Sequence, residues 1–307
     1  MPSARPQPPG ILERTYRLLG ERSIARDSRI TALTLSDYFT VVGIDEADAA
    51  ACMSYYRLAS DVRDDVLRKL NDALPGDPLL YRTLFEEPAG WPARELVERN
   101  GYMLLTALRA TVLCAVSARA LREGGDDSFV VSSDPPYELF SGAEHAVVVG
   151  FGGYMHTLAR RADLKSLHVC DLLYDRRRRE IDDQCLRFRS EFPGKRFSVS
   201  DGHDLKERLR EADLVSITGS ALSNGTLDSL LLQAGGGKRI IVQGQSAAIH
   251  PKCLFDCGVD LVATTLKPRE LIRLSAADPA GNASRSMLEG GLPWIYLRPR
   301  KSIATQR

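Results

Sequence analysis

Asp171 closes a short apolar run and follows Gly150 by 21 residues, and this pair marks the chemistry the sequence offers most plainly. The stretch Glu144–Asp171 reads EHAVVVGFGGYMHTLARRADLKSLHVCD. It holds an apolar run Ala146–Val149, the glycines Gly150, Gly152 and Gly153, a helical pattern through Met155, Leu158 and Ala159, a second apolar run Leu167–Cys170, and then the acid. Glycines let the backbone turn tightly and come close to a ligand, and a carboxylate after the second strand accepts hydrogen bonds from ribose hydroxyls. The G-F-G-G-Y run lacks the third glycine of a dinucleotide fingerprint, so a glycine turn that only opens a tightly packed α/β unit is the competing reading.

Other residues fall where ligands gather. Asp201 follows a third strand candidate and is a second carboxylate at a strand end. Tyr174 lies three residues past Asp171, where its ring can face adenine or a sulfonium. Tyr38, Phe39, Tyr55, Tyr56 and Tyr154 offer further aromatic walls or plain core. In G-S-A-L-S-N-G-T, Ser220, Ser223 and Asn224 can hold an amino-acid carboxylate or amine, or Asn224-Gly225 is a turn and Thr226 a cap. Ser246 in G-Q-S-A-A is a ligand contact or a helix cap, and His250 before Pro251 reads as a loop histidine. Cys253 and Cys257 with His250 nearby are the candidate metal ligands, although zinc prefers four ligands in tighter pairs. The run Arg176–Arg179 either grips a phosphate or starts a solvated helix. The sequence holds no G-x-S-x-G elbow, P-loop or H-E-x-x-H.

These residues need a scaffold, and the pattern of elements supplies one. Residues 1–10 are proline-rich, and Ile11–Leu19 has helical spacing. Leu35–Ile44 and Ala49–Leu58, separated by Asp45–Asp48, read as an antiparallel hairpin. Asp61–Leu74 and Pro92–Leu121 read as helices, the second broken near Gly101. From Ala146 onward strands alternate with helices: strands Arg196–Ser200, Asp213–Thr218, Arg239–Gln243 and Leu261–Thr265, helices Asp204–Glu211, Thr226–Ala234 and Pro251–Asp256, and a last strand over Trp294–Leu297. Such alternation means a parallel sheet covered on both faces. The expected fold is α/β: a smaller α+β domain over 1–131, then a Rossmann-like ligand-binding domain over 132–307.

Composition narrows the partners. The chain has 307 residues, enough for two cores, with 41 basic against 40 acidic residues and so no net field to draw nucleic acid or an anionic membrane. No run reaches the roughly 18 apolar residues of a membrane span, and prolines stand where a signal peptide needs an apolar core. The reading is a soluble, cytoplasmic protein whose partner is a small-molecule ligand, with no nucleic acid and no membrane, and with a homodimer left open. Its six cysteines are scattered in apolar patterns, which predicts reduced thiols.

The segments TGSALSNGTLDSLL (Thr218–Leu231) and VQGQSAAIHPKCLFDCGVDLVATTL (Val242–Leu266) resemble the heavy-metal-chelation family, in which a strand runs into a T-G-x-x-L-x-N-G-T loop and a later strand into a G-x-S-x-x-x-x-P loop and a G-V-D turn. That resemblance implies a Rossmann-like second half. It also implies a first half similar to the N-terminal domain of enolases, which TLSDYFTVVGI, MSYYR and LLTALRATVLCAVSARAL suit. The family suggests a metal or metal-chelate binding protein. A looser similarity is to class I S-adenosylmethionine-binding folds, whose glycine loop, ribose acid and adenine acid fall here on Gly150–Gly153, Asp171 and Asp201. A further resemblance, to bacterial azetidine-2-carboxylate synthases, implies a lyase that cyclises S-adenosylmethionine and releases methylthioadenosine. On that reading Tyr174, Asn224 and Ser246 carry the reaction, Gly150, Gly152, Gly153, Asp171, Asp201 and Ser220 bind the cofactor, and no metal takes part. Methyl transfer from S-adenosylmethionine and plain metal binding are the alternatives.

Overall fold

The computed structural model describes residues 9–22, 30–36, 39–44, 48–53, 85, 102–151, 154–160, 163–171, 174–278, 280–289 and 291–300. The expected helix over Asp61–Leu74, the stretch 92–101, and the candidate residues Gly152, Gly153, Tyr38, Tyr55 and Tyr56 lie outside them, as does the side chain of Tyr154.

The first part of the chain is a helix, a small sheet and a long helix. Helix α1 (Ile11–Glu21) buries Ile11, Leu12, Thr15 and Leu19, the i, i+4, i+8 face of an otherwise polar segment. Strands β1 (Ile30–Leu35), β2 (Phe39–Ile44) and β3 (Asp48–Met53) form an antiparallel meander. The expected hairpin is the β2–β3 pair, with Ile44 opposite Asp48. Leu35, assigned to it from sequence, instead ends β1, whose ITALTL alternation supplies the extra strand. Helix α2 (Tyr102–Arg122) is buried over most of its length, with Arg119 and Arg122 exposed near its end, and packs against β2 and β3. Its stretch Leu104–Arg122 is long and apolar enough to cross a membrane by length and composition alone, but 89% of it is buried within protein, as in a core helix.

The second part is an eight-stranded sheet in the order β4–β11–β10–β9–β8–β5–β6–β7. Its strands are β4 (Phe129–Ser132), β5 (His145–Val149), β6 (Ser166–Cys170), β7 (Arg196–Ser200), β8 (Leu214–Thr218), β9 (Arg239–Gln243), β10 (Leu261–Thr265) and β11 (Trp294–Pro299). The run β7-β6-β5-β8-β9-β10 is parallel, and β11 and β4 extend it antiparallel at one edge. Near-continuous apolar runs such as HAVVV and LVATT have the composition of strands buried on both faces. Counted from β5, the parallel strands lie in the order 3-2-1-4-5-6 of a doubly wound sheet, and the direction of winding reverses between β5 and β8. The chain is thus a mixed α/β protein with a large, mostly parallel sheet.

The helices that follow the strands of this sheet are α3 (Tyr154–Ala159), α4 (Tyr174–Glu191), α5 (Leu205–Glu211), the single turn α6 (Ser220–Ser223), α7 (Leu227–Ala234) and the single turn α8 (Lys252–Phe255), while α9 (Glu270–Ala277) and α10 (Asn282–Glu289) pack against the small sheet. In the arginine-rich α4, Ile181, Cys185 and Phe188 are buried at helical spacing while Arg178 and Arg179 are exposed. Phe188 stacks on Phe197 of β7 with ring centroids 5.4 Å apart, which seats the helix on the sheet.

Candidate functional site

The reversal of winding produces one row of residues across the carboxyl ends of the strands. Val149 pairs with Cys170 and Ile217, and Cys170 with Ser200. One step further lie Gly150, Asp171, Thr218 and Asp201, and Thr218 pairs with Gln243. The ladder continues to these positions: the Gly150 amide donates to the Cys170 carbonyl (2.7 Å) and the Asp171 amide to the Ser200 carbonyl (3.0 Å). The row therefore runs Asp201–Asp171–Gly150–Thr218–Gln243.

Gly150 has φ +85°, and a Cβ on it would stand 2.3 Å from Thr218 Cγ2, so only glycine lets the two loops meet. The buried Asp171 carboxylate accepts the Phe151 amide through Oδ2 (2.9 Å), which ties the glycine loop to the end of β6. Gln243 is 2% exposed and its Nε2 has no hydrogen-bond partner; Ser216 Oγ, two residues before Thr218 on the same strand, is likewise buried and unpartnered.

Two further candidates sit beside the row. Ser220 is buried at the start of α6, its hydroxyl 3.2 Å from Thr218 Oγ1. Ser246 is buried in the 3-10 turn Gln245–Ala247 after β9. Gly219 joins them, since a Cβ there would lie 2.7 Å from the Ala247 nitrogen. The buried Lys267 ammonium donates to the carbonyls of Gln245 and Thr265 and pins the same turn to the end of β10.

The remaining candidates have partners of their own. Asn224 Oδ1 accepts the Thr226 amide (3.0 Å) and hydroxyl (2.7 Å), the geometry of a turn leading into α7. Tyr174 donates its hydroxyl to Asp182 Oδ1 (3.1 Å) and carries the Arg178 guanidinium over its ring at 5.1 Å. Asp201 is exposed and receives the His203 amide (3.0 Å) and ring nitrogen (2.5 Å), which lowers its pKa and raises that of His203. Phe39 is buried against Val41, Leu271 and Leu288, away from the row. His250 is fully buried, its Nε2 2.8 Å from Asp126 Oδ2, and Cys257 Sγ accepts from Arg14 (2.7 Å), so neither meets the other as a metal pair. Cys114, Cys170, Cys185, Cys253 and Cys257 are free thiols.

Sequence reading missed a second cluster. His168 and Cys170 on β6 face Ser198 and Ser200 on β7 in register, and Asp204 at the start of α5 closes over them. Among the described residues this is the one group of three metal-ligating side chains whose donor atoms all lie within 4.8 Å of one another. Burial lowers the pKa of His168 and pushes the Cys170 thiol up to about 11. For Asp204 burial acts upward, but hydrogen bonds from Ser200 and Arg208 outweigh it and bring the carboxyl to about 2. The available signal was H-x-C in one strand opposite S-x-S in the next, a polar stripe on one face of buried strands.

Residues 139–282 match the family model DUF364, described as "Putative heavy-metal chelation". This span includes the row, the His168 cluster and every strand of the parallel sheet. Two solved structures share the fold over nearly the whole chain, both proteins with unknown function from the same family. The one from Desulfitobacterium hafniense DCB-2 is 16% identical, covers 94% of this chain and 98% of its own, and superposes with a TM-score of 0.62. The one from Pyrococcus horikoshii is 15% identical, covers 95% and 100%, and has a TM-score of 0.58. At these identities they show the architecture alone. No curated protein matches the chain.

Proposed function

We propose that the crevice beyond β5 and β8 holds an adenosyl ligand, S-adenosylmethionine in the first instance, and that the protein is an enzyme acting on it. The observation that carries this reading is the row Asp201–Asp171–Gly150–Thr218–Gln243 at the point where the winding reverses, the place where doubly wound sheets bind ligands. Asp171 fixes the glycine loop through Oδ2, and its buried carboxylate stands as an acceptor at the strand end where a ribose hydroxyl would lie. Gln243 adds a buried N–H with no acceptor, a state that costs about 1–3 kcal/mol and that a ligand oxygen or ring nitrogen would relieve.

The reaction proposed for this ligand is intramolecular. The amine attacks the γ-carbon, the C–N bond forms as the C–S bond breaks with its electron pair on sulfur, and the ammonium proton leaves to solvent. The products are azetidine-2-carboxylate and methylthioadenosine. Such a step needs a folded substrate and a dry cleft rather than a strong base. Tyr174 can face the sulfonium only after Arg178 leaves its ring, because two cations do not share one aromatic face. Methyl transfer to a second substrate is the alternative use of the same ligand.

The deciding experiment incubates the purified protein with S-adenosylmethionine alone and looks by mass spectrometry for methylthioadenosine and a four-membered cyclic amino acid. Asp171→Ala is expected to weaken adenosyl-ligand binding by roughly 1–3 kcal/mol in calorimetry, the worth of a hydrogen bond to a charged group. Unchanged affinity in a folded variant removes the ribose role from Asp171.

A second reading, metal-ion binding, is favoured by the family match over residues 139–282 together with the donor cluster around His168. It uses different residues on the opposite face of the sheet and does not compete with the first. A metal analysis of the purified protein tests it.

A further inference from the structure

Resting on the metal-ion reading, we propose that His168 Nε2, Cys170 Sγ and Asp204 Oδ1 bind one borderline-soft divalent ion, zinc or its heavier congener cadmium, with solvent in the fourth position. The three donors converge on a single point, the Ser200 hydroxyl. Its oxygen lies 3.1 Å from His168 Nε2, 3.5 Å from Cys170 Sγ and 2.5 Å from Asp204 Oδ1. His168 Nε2 and Asp204 Oδ1 are 3.7 Å apart. Ligand atoms around a tetrahedral zinc, bound at about 2.0–2.3 Å, stand roughly 3.5 Å from each other, so a modest closing of the group encloses an ion.

The supporting contacts are those of a ligand set. The other ring nitrogen of His168, Nδ1, meets Ser198 Oγ at 2.7 Å; donating there fixes the tautomer that leaves the Nε2 lone pair for a metal. The other oxygen of Asp204, Oδ2, receives Arg208 Nε at 2.8 Å, which orients the carboxylate and leaves Oδ1 pointing inward. His168 and Asp204 thus each have one atom held from outside and one turned to the common point, where Cys170 Sγ is the third donor. On loading, the Cys170 thiol proton leaves to solvent as the metal–sulfur bond forms, and the Ser200 hydroxyl turns away from Asp204.

The donor types choose the metal. One thiolate, one imidazole and one carboxylate suit zinc-like ions, whereas calcium and magnesium require a shell of oxygens. Three protein ligands also differ from the four of a closed structural site, so the ion remains reachable by an incoming ligand. The pair Cys253 and Cys257 lies elsewhere, against Arg14 and Thr15 of α1, and serves as the internal control.

The test equilibrates the full chain with zinc in the presence of a competing chelator of known affinity, and reads retained metal by elemental analysis after desalting. Wild type is expected to keep a single zinc. His168→Asn and Cys170→Ser, chosen for shape, are expected to lose at least about tenfold in affinity with unchanged circular dichroism, and Cys253→Ser and Cys257→Ser to keep it. Cobalt loading gives a readout that needs no variant, because thiolate ligation produces a near-ultraviolet charge-transfer absorption. If zinc binds but His168→Asn and Cys170→Ser retain it, or if bound cobalt shows no thiolate band, this site is wrong while the metal-ion reading stands. If the wild type retains no metal at all, both fall.

Discussion

Replacing Gly150 with alanine is expected to destabilise the fold by on the order of 3 kcal/mol, the largest effect of any single methyl group in the crevice. Two costs combine. At φ +85° a side chain pays about 1–2 kcal/mol of backbone strain, and a Cβ placed 2.3 Å from Thr218 Cγ2 and 2.9 Å from Thr218 Cβ forces an overpacked contact worth about 1–3 kcal/mol. The neighbour cannot easily yield, because Thr218 is paired with Gln243 of β9 and follows Ile217, which is paired with Val149 of β5. Urea unfolding should show a lower midpoint at an unchanged slope. Adding Thr218→Ser removes the nearer methyl and should recover part of the packing loss but none of the backbone strain. A midpoint within error of wild type would mean that the loop moves freely and that the row is not the rigid platform described here.

Stability is also expected to fall with acidity from about pH 6.5 downward, because burial lowers the pKa of His250 as it does that of His168. At His250 burial holds the pKa below the ordinary value despite the Asp126 carboxylate 2.8 Å away, so the folded ring stays neutral and donates Nε2–H to Asp126. The unfolded chain takes up a proton near pH 6.5 and the folded chain does not, so each pH unit below that removes up to about 1.4 kcal/mol until the folded-state value is reached. Asp126 adds a lower window. Burial acts to raise its pKa, but the Ser128 amide and hydroxyl and His250 hold it well below the usual carboxylate range. Its contribution is present above the unfolded carboxylate value and is lost as pH falls through the folded one. His203 has the opposite sign, with a raised pKa and stability lost as pH rises through it, but it is exposed and its effect is small. Unfolding curves at successive pH values should therefore flatten near pH 6 in His250→Gln relative to wild type. Superimposable pH profiles for the two proteins would refute the assignment.

The parallel sheet was legible in sequence because its strands are short apolar runs that end at glycine, acid or turn residues, as RIIVQ does at Gly244. That is also why Gly150, Asp171 and Asp201 were found: a residue after a strand is placed by the strand. The edges were harder. Strand β4 was not picked out, because FVVS is four residues long and its partner β11 lies far away in sequence. Helices α9 and α10 carry mixed surfaces against the small sheet and gave no clean period. The His168 cluster was missed for a different reason. LHVC reads as an apolar strand, and Asp204 joins His168 and Cys170 only through the β6–β7 register, which a linear pattern does not show. Tyr174, read as an aromatic wall past the second strand, opens α4, and no sequence rule announced that Arg178, one turn along that helix, would cover its ring.

The largely buried helix α2 ties the fates of the two sheets together. One continuous set of buried side chains runs from Leu33, Val42 and Ile44 of the small sheet, through Leu108, Val112 and Val116 of the helix, to Val147, Ile217 and Val242 of the large one. Neither sheet owns that interior. Cut apart, each piece would show water a face made for the other, so the halves cannot be exchanged as independent modules by recombination, and heat should melt them in a single transition. A gene encoding only the matched span 139–282 would lack the α2 partner and β4, and its product is expected to aggregate instead of reporting on the site.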